Sequence, residues 1–290
     1  MSPTTSYIGV ALSVALLAAL AWAGGQGGAS VGGVSVFAVC VGVAAIVQWL
    51  AFVPAYLART EKFYDLTGSL TYLTVVALAV ALSGSRDLGS LLLAVLVGVW
   101  AARLGSFLFL RIKADGKDGR FDELKTSFPR FLLAWTLQAL WISFTAGAAL
   151  AAITAVGPVP LGTTAMVGLA IWIFGFGVEV VSDRQKSAFR KNPANKGRFI
   201  TTGLWAWSRH PNYFGEIVLW VGVAVIASPA LGGWQYVTLS SPLFVTALLT
   251  MGSGIPLLEE RADARWGGEP EYEAYKANTP VLVPRPPRAG

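Results

Sequence analysis

Between residues 163 and 228 the chain reads TTAMVGLAIWIFGFGVEVVS, then DRQKSAFRKNPANKGRFITTGLWAWSRHP, then NYFGEIVLWVGVAVIAS. Two apolar segments, 163–182 and 212–228, bracket a polar run that holds seven Lys or Arg. About 17 to 25 apolar residues in a helix span the hydrocarbon core of a bilayer. The two flanking segments therefore read as membrane spans and the polar run as a loop at a membrane face.

Working outward, the same alternation covers the whole chain. Apolar spans are expected at about 6–23, 34–56, 67–83, 88–110, 129–156, 163–182, 212–228 and 236–254. With 54% apolar and 13% charged residues and a mean hydropathy of +0.59, the composition lies outside the soluble globular range. The 32 glycines suit close helix approach in a membrane. The fold class expected is all-α, a polytopic transmembrane helix bundle of about eight spans. We expect one integral membrane domain, 1–290, with residues 103–283 as a cofactor-binding half and 284–290 as a short disordered tail.

The loops differ sharply in basic content. Residues 57–66, 111–130, 183–211 and 255–290 carry 20 of the 22 Lys and Arg, while the alternate loops carry only Arg86. The positive-inside rule then places both termini and every large loop in the cytoplasm. This sidedness, rather than the net charge of +6, is informative, and it points to lipid headgroups and not to nucleic acid. The first segment has no Lys or Arg before it, and Gly24-Gly25 is a poor cleavage signal, so it is expected to be a retained helix. One cysteine, Cys40, and one histidine, His210, leave no intramolecular disulfide and no metal-ligand cluster.

Candidate chemistry gathers in the basic loops. Lys196, Arg198, Arg209 and His210 precede Pro211, a residue suited to the first position of a helix. Free amides at that helix start, with Arg198 and Arg209 nearby, would bind an anion such as a phosphate. Asn212, followed by Tyr213, lies four residues before Glu216, so Asn212 and Glu216 share a face. A carboxylate there suits a ribose hydroxyl or a carboxamide better than a phosphate. Glu179, Asp183, Lys186 and Arg190 recur at helical spacing and form a stripe on one face, if the helix continues past residue 182. Asn192-Pro193 should end it. In the 111–130 loop, Arg111, Lys113 and their acidic neighbours read equally as a phosphate site or as a solvated loop against anionic lipid. Arg103 lies inside a span, where a cation usually lines a polar cavity. Arg261 and Arg265, four apart, could cover a bound cofactor as a lid. Gly175-Phe176-Gly177 has no strand before it and is not a dinucleotide fingerprint, and no Gly-x-Ser-x-Gly element supports a hydrolase.

Ser208-Arg209-His210-Pro211-Asn212-Tyr213-Phe214-Gly215-Glu216, preceded by Gly197-Arg198-Phe199 and Gly203-Leu204-Trp205, resembles the C-terminal region of the steroid 5α-reductase-like membrane enzymes, and most closely their bacterial branch of unknown substrate. Glu61 to Gly68, Arg103 to Phe109 and Tyr272 to Pro280 add to the resemblance. It implies NADPH in a cytoplasm-facing cavity of a bacterial plasma-membrane protein, reducing a carbon–carbon double bond of a hydrophobic enone, sterol or isoprenoid lipid. Asn212 and Glu216 match positions that contact the nicotinamide half, Asp183 an acidic position on the preceding helix, and Arg103 a basic one. Arg261 and Arg265 match the basic lid loosely.

The Gln-Glu-Leu-Pro motif of the steroid enzymes is absent. Glu61 is the replacement for its acid, and Tyr64 or Tyr72 for the tyrosine that polarises the carbonyl, a position that itself falls near Trp100. A proton donor near pKa 10, about that of tyrosine, suits the developing enolate. The Arg-His-Pro element is also similar to that of isoprenylcysteine carboxyl methyltransferases, which would make S-adenosylmethionine the cofactor. A non-enzymatic transporter or lipid-binding scaffold is the third reading.

Overall fold

Polar caps and glycine turns divide the apolar sequence into helices. The computed structural model describes residues 2–252 and 254–287. Ser2 accepts from the Thr5 amide at 3.1 Å and starts α1, Pro3–Gly24. A short hairpin follows, β1 Ser30–Val31 and β2 Val34–Ser35, paired antiparallel with Val31 opposite Val34. Gly32 and Gly33 turn it with φ of +60° and +82°, as a two-residue hairpin loop requires. Ser35 then caps α2, Val36–Leu57, through the Ala38 amide. Next come α3, Tyr64–Ser83, ended by the left-handed Gly84, and α4, Leu88–Asp115, capped by Asp87. Past these lie α5 Phe128–Thr145, α6 Gly147–Thr154, α7 Thr163–Lys191, α8 Pro211–Ala227, α9 Ser241–Met251, α10 Ile255–Trp266 and α11 Pro270–Asn278.

Among the described residues, seven helical stretches are long and apolar enough to cross a membrane, and eight if α5 and α6 form one span. The protein is thus a multi-pass helical membrane protein. The fifth span departs from the expected continuous helix over 129–156, because α5 and α6 meet at 55°. A long-range hydrogen bond marks the bend. The Ser241 hydroxyl donates to the Thr145 carbonyl at 2.6 Å, taking the acceptor a straight helix would use. The expected eighth span, 236–254, is also irregular, with a 3₁₀ stretch Gly233–Ser240 leading into α9.

The chain separates into two compact units, 1–166 with 223–241, and 167–222 with 242–290. Arg103, the expected start of the cofactor half, lies within the first. In that unit α6 is buried at all eight positions, which its sequence GAALAAIT permits by presenting little side-chain bulk. Phe52, Phe121, Phe131 and Trp135 form an aromatic cluster against which Tyr56 and Tyr64 pack. Cys40 is buried, and its thiol donates to the Val75 carbonyl at 3.4 Å.

The second unit is organised by the crossing of α7 and α8. A Cβ on Gly175 would sit 2.5 Å from the Leu219 nitrogen, and one on Gly215 would sit 2.6 Å from the Glu179 nitrogen. The two backbones touch where only hydrogen fits. Gly175, discounted as a nucleotide fingerprint, is therefore a packing residue. Beyond α8, Phe199 packs with Trp266, Tyr272 and Tyr275, and the Trp266 indole donates to the Gly197 carbonyl at 2.6 Å. Arg285 in the tail expected to be disordered donates its amide to the Trp207 carbonyl at 2.9 Å. Residues 288–290 lie outside the described residues.

Candidate functional site

The stripe on α7 is continuous, because the helix runs on to Lys191 before Asn192-Pro193 ends it. Burial grades along the stripe. Glu179 and Asp183 are buried, Lys186 is half-buried, and Arg190 is exposed. The glycine crossing brings the start of α8 against the buried end. There the Asn212 amide donates to the Asp183 carboxylate at 3.3 Å. Glu216, one turn further, is buried as well. One side of the crossing thus holds three buried carboxylates and one carboxamide. Such a set offers acceptors to hydroxyl or amide donors, or to a cationic group.

Two of the cations expected to bind phosphate, Arg209 and His210, share a carboxylate partner. Glu259 on α10 accepts from His210 Nε2 at 2.7 Å and from the Arg209 guanidinium. Lys186 stands 4.3 Å over the Trp205 ring, and His210 stacks on Tyr213 with centroids 5.7 Å apart. Arg198, Arg261 and Arg265 are exposed, the last lying over Trp266 at 4.8 Å. Arg209 and His210 are therefore not an open anion site, because the Glu259 carboxylate accepts from both. Glu259 was missed from the sequence. Its signal was its place four residues before Asp263, whose own carboxylate takes Tyr272 and Lys276. Glu259 and Asp263, one turn apart on α10, are both taken up by hydrogen bonds and ion pairs, although Asp263 is exposed.

His210 is held neutral. Burial pushes it below its ordinary value of 6.5, and the hydrogen bond to Glu259 opposes this only in part. The imidazole donates from Nε2, and its buried Nδ1 has no hydrogen-bond partner. A proton on Nδ1 would be a buried donor with nothing to bind. The folded pKa lies below the unfolded one, so the unfolded chain takes up the proton first as pH falls. Stability is then lost as pH drops through about 6.5. Since His210 is the only histidine, the melting temperature should fall between about pH 7.5 and pH 5.5, and His210→Gln should flatten that dependence. Thermal unfolding of both proteins across this range checks it.

The first-unit candidates are placed as follows. Glu61 is buried, accepting from the Asp118 amide at 3.0 Å and from Lys125 at 2.7 Å. Burial alone would raise its carboxyl, but the bonds from Lys125 and Asp118 outweigh it and hold it below the usual range. The Tyr64 hydroxyl donates to the Ala134 carbonyl at 2.8 Å, so Glu61 and Tyr64 are spent on different partners. Tyr72 is buried edge-on to Trp100 at 5.1 Å. Arg103 is half-buried, with its guanidinium 5.2 Å from the Phe107 ring centroid. Arg111 approaches Asp65 at 3.9 Å, and Lys113 is exposed. In the 111–130 loop Lys117, Arg120, Lys125 and Arg130 each pair with a carboxylate, which favours a self-paired loop over a phosphate cradle.

Known proteins are similar to parts of this chain. A probable O-methyltransferase, ustE, of Ustilaginoidea virens is 38% identical over 69 residues, 24% of this chain and 23% of that protein. The 3-oxo-5-alpha-steroid 4-dehydrogenase 1 of Bos taurus is 32% identical over 71 residues, 24% of this chain and 27% of that one. The Delta(14)-sterol reductase of Ascobolus immersus is 36% identical over 76 residues, 21% of this chain and 18% of that one. The chain thus spans about a quarter or less of the length of these relatives. No solved structure matches it. One family model, described as protein of unknown function (DUF1295), matches residues 51–279, which include both the Glu61 loop and the α7–α8 crossing. The chain therefore belongs to the DUF1295 family of steroid 5α-reductase-like membrane proteins.

Proposed function

We propose that the protein is a membrane-embedded, NADPH-dependent reductase of a carbon–carbon double bond in a hydrophobic enone, sterol-like or isoprenoid substrate. The observation that carries this reading is the Asn212–Asp183 hydrogen bond at the glycine crossing, with Glu179 and Glu216 buried on the same two helices. The steroid dehydrogenase and sterol reductase relatives support the reaction class.

The residues suit a nicotinamide cofactor. Asn212 offers both a donor and an acceptor to a carboxamide, and Glu179 and Glu216 offer acceptors to ribose hydroxyls. Exposed Arg198, Arg261 and Arg265 supply the positive charge that a 2′-phosphate selects. Bound NADPH supplies a hydride. The chain orients the cofactor, excludes water through its apolar helices, and donates a proton or hydrogen bond to the substrate carbonyl. Tyrosine is the donor type expected for that step; because the Tyr64 hydroxyl already donates to the Ala134 carbonyl, Tyr64→Phe should retain turnover, and Tyr72→Phe tests the other expected tyrosine by loss of turnover. By the charge rule the cofactor side faces the cytoplasm.

A second reading has its own support. Three buried carboxylates also suit the sulfonium and ammonium of S-adenosylmethionine, and one relative is a probable O-methyltransferase. Titrating the purified protein with each cofactor separates the two. A shift in NADPH fluorescence with micromolar affinity is the expected result. A response to S-adenosylmethionine alone moves the assignment to methyl transfer, and a response to neither favours a lipid-binding or transport role.

A further inference from the structure

The segment after α11 is bonded to the run that leads into α8. The Arg209 amide donates to the Pro280 carbonyl at 2.9 Å, and the Arg285 amide to the Trp207 carbonyl at 2.9 Å. Ser208 joins these two segments from within. It is fully buried, its hydroxyl donates to the Leu282 carbonyl at 2.8 Å, and the same oxygen accepts from the His210 amide at 3.1 Å. The Val281 carbonyl lies at 3.3 Å as a weaker second acceptor. Residues 280–285 therefore form a strap, and Ser208 connects it to the last residue before Pro211.

We propose that Ser208 and this strap are positioning elements for Asn212, and so set the affinity of the cofactor site; the inference rests on the reading of Asn212 given above. The geometry leaves little slack between them. The strap fixes Ser208, and Ser208 fixes the His210 amide. The His210 carbonyl accepts the Phe214 amide at 3.2 Å, the first helical bond of α8. Pro211 locks its own φ in between. Asn212 thus inherits its place from a hydrogen-bond chain that begins in the C-terminal strap. A carboxamide aimed at a ligand loses much of its effect when displaced by even an ångström.

The test uses full-length protein. Ser208→Ala removes the link, Arg285→Pro removes the strap's amide donor, and Ser208→Thr keeps the oxygen. Each is measured by NADPH fluorescence titration and by hydrogen exchange over residues 205–216. Ser208→Ala and Arg285→Pro should weaken NADPH binding roughly tenfold to a hundredfold and speed exchange at the first turn of α8, and Ser208→Thr should restore both. Tyr275→Phe is the control. It deletes the 2.7 Å bond to the Trp205 carbonyl in the same module but leaves the strap intact. It should lower the melting temperature without changing affinity.

Wild-type affinity in Ser208→Ala, or an equal loss in Tyr275→Phe, overturns the proposal. If the wild-type protein does not respond to NADPH at all, the cofactor reading fails instead. The exchange measurement then still decides the strap, because unchanged protection at His210 in Ser208→Ala overturns it with no ligand present.

Discussion

Asn212→Ala and Glu216→Ala are expected to abolish the NADPH fluorescence response within the range where the wild-type protein saturates. Asn212→Ala removes the proposed ligand contact and also strips the buried Asp183 carboxylate of a donor. Leaving one buried polar partner unmade costs about 1–3 kcal/mol, and more when the partner is charged. A loss of about 2–4 kcal/mol is roughly a 30-fold to 1,000-fold weaker affinity. Glu216→Ala removes a buried acceptor from the other end of the same turn. Glu216→Gln keeps the shape and one acceptor oxygen, so it should retain part of the response. The titration that separates the two cofactors also reads these variants. Wild-type affinity in both alanine variants would sink the assignment of the α7–α8 crossing as the cofactor site.

Gly215→Ala and Gly175→Ala should be strongly damaging single-methyl changes in the second unit. The added Cβ would fall within 2.6 Å of backbone atoms on the facing helix, and no side chain can move aside to relieve it. Relief requires separating the helices, at a cost of about 1–3 kcal/mol or more. The crossing also brings Asn212 to Asp183, so ligand response should vanish along with stability. Gly177→Ala is the internal control. It lies on the same helix, and a Cβ there meets nothing within 4 Å. Thermal unfolding in detergent and the cofactor titration check all three. A Gly215→Ala protein that melts with the wild type would refute the close crossing.

The helices were legible because membrane spans announce themselves by length and apolarity, and their ends by Ser, Asp and Gly caps. The extension of α7 was legible too, since the stripe from Glu179 to Arg190 keeps helical spacing up to Asn192-Pro193. The bend between α5 and α6 was not. It depends on the Ser241 hydroxyl reaching the Thr145 carbonyl across 96 residues of sequence. The binding partners of the cations were hidden for the same reason. Sequence shows that Arg209 and His210 are basic, but not that Glu259, 49 residues beyond His210, accepts hydrogen bonds from both. Glu61 and Tyr64 are near neighbours in sequence, yet their side chains point to Lys125 and Ala134.

By itself the sequence determined a multi-pass helical protein and its basic loops, because hydropathy, charge and helical spacing are local properties of the chain. Tertiary structure alone decided which charges were already spent, which glycines bring α7 and α8 into contact, and that a C-terminal strap holds Ser208. Those are matters of which distant groups meet, and hydrogen bonds and close contacts form only between groups that folding brings within a few ångströms.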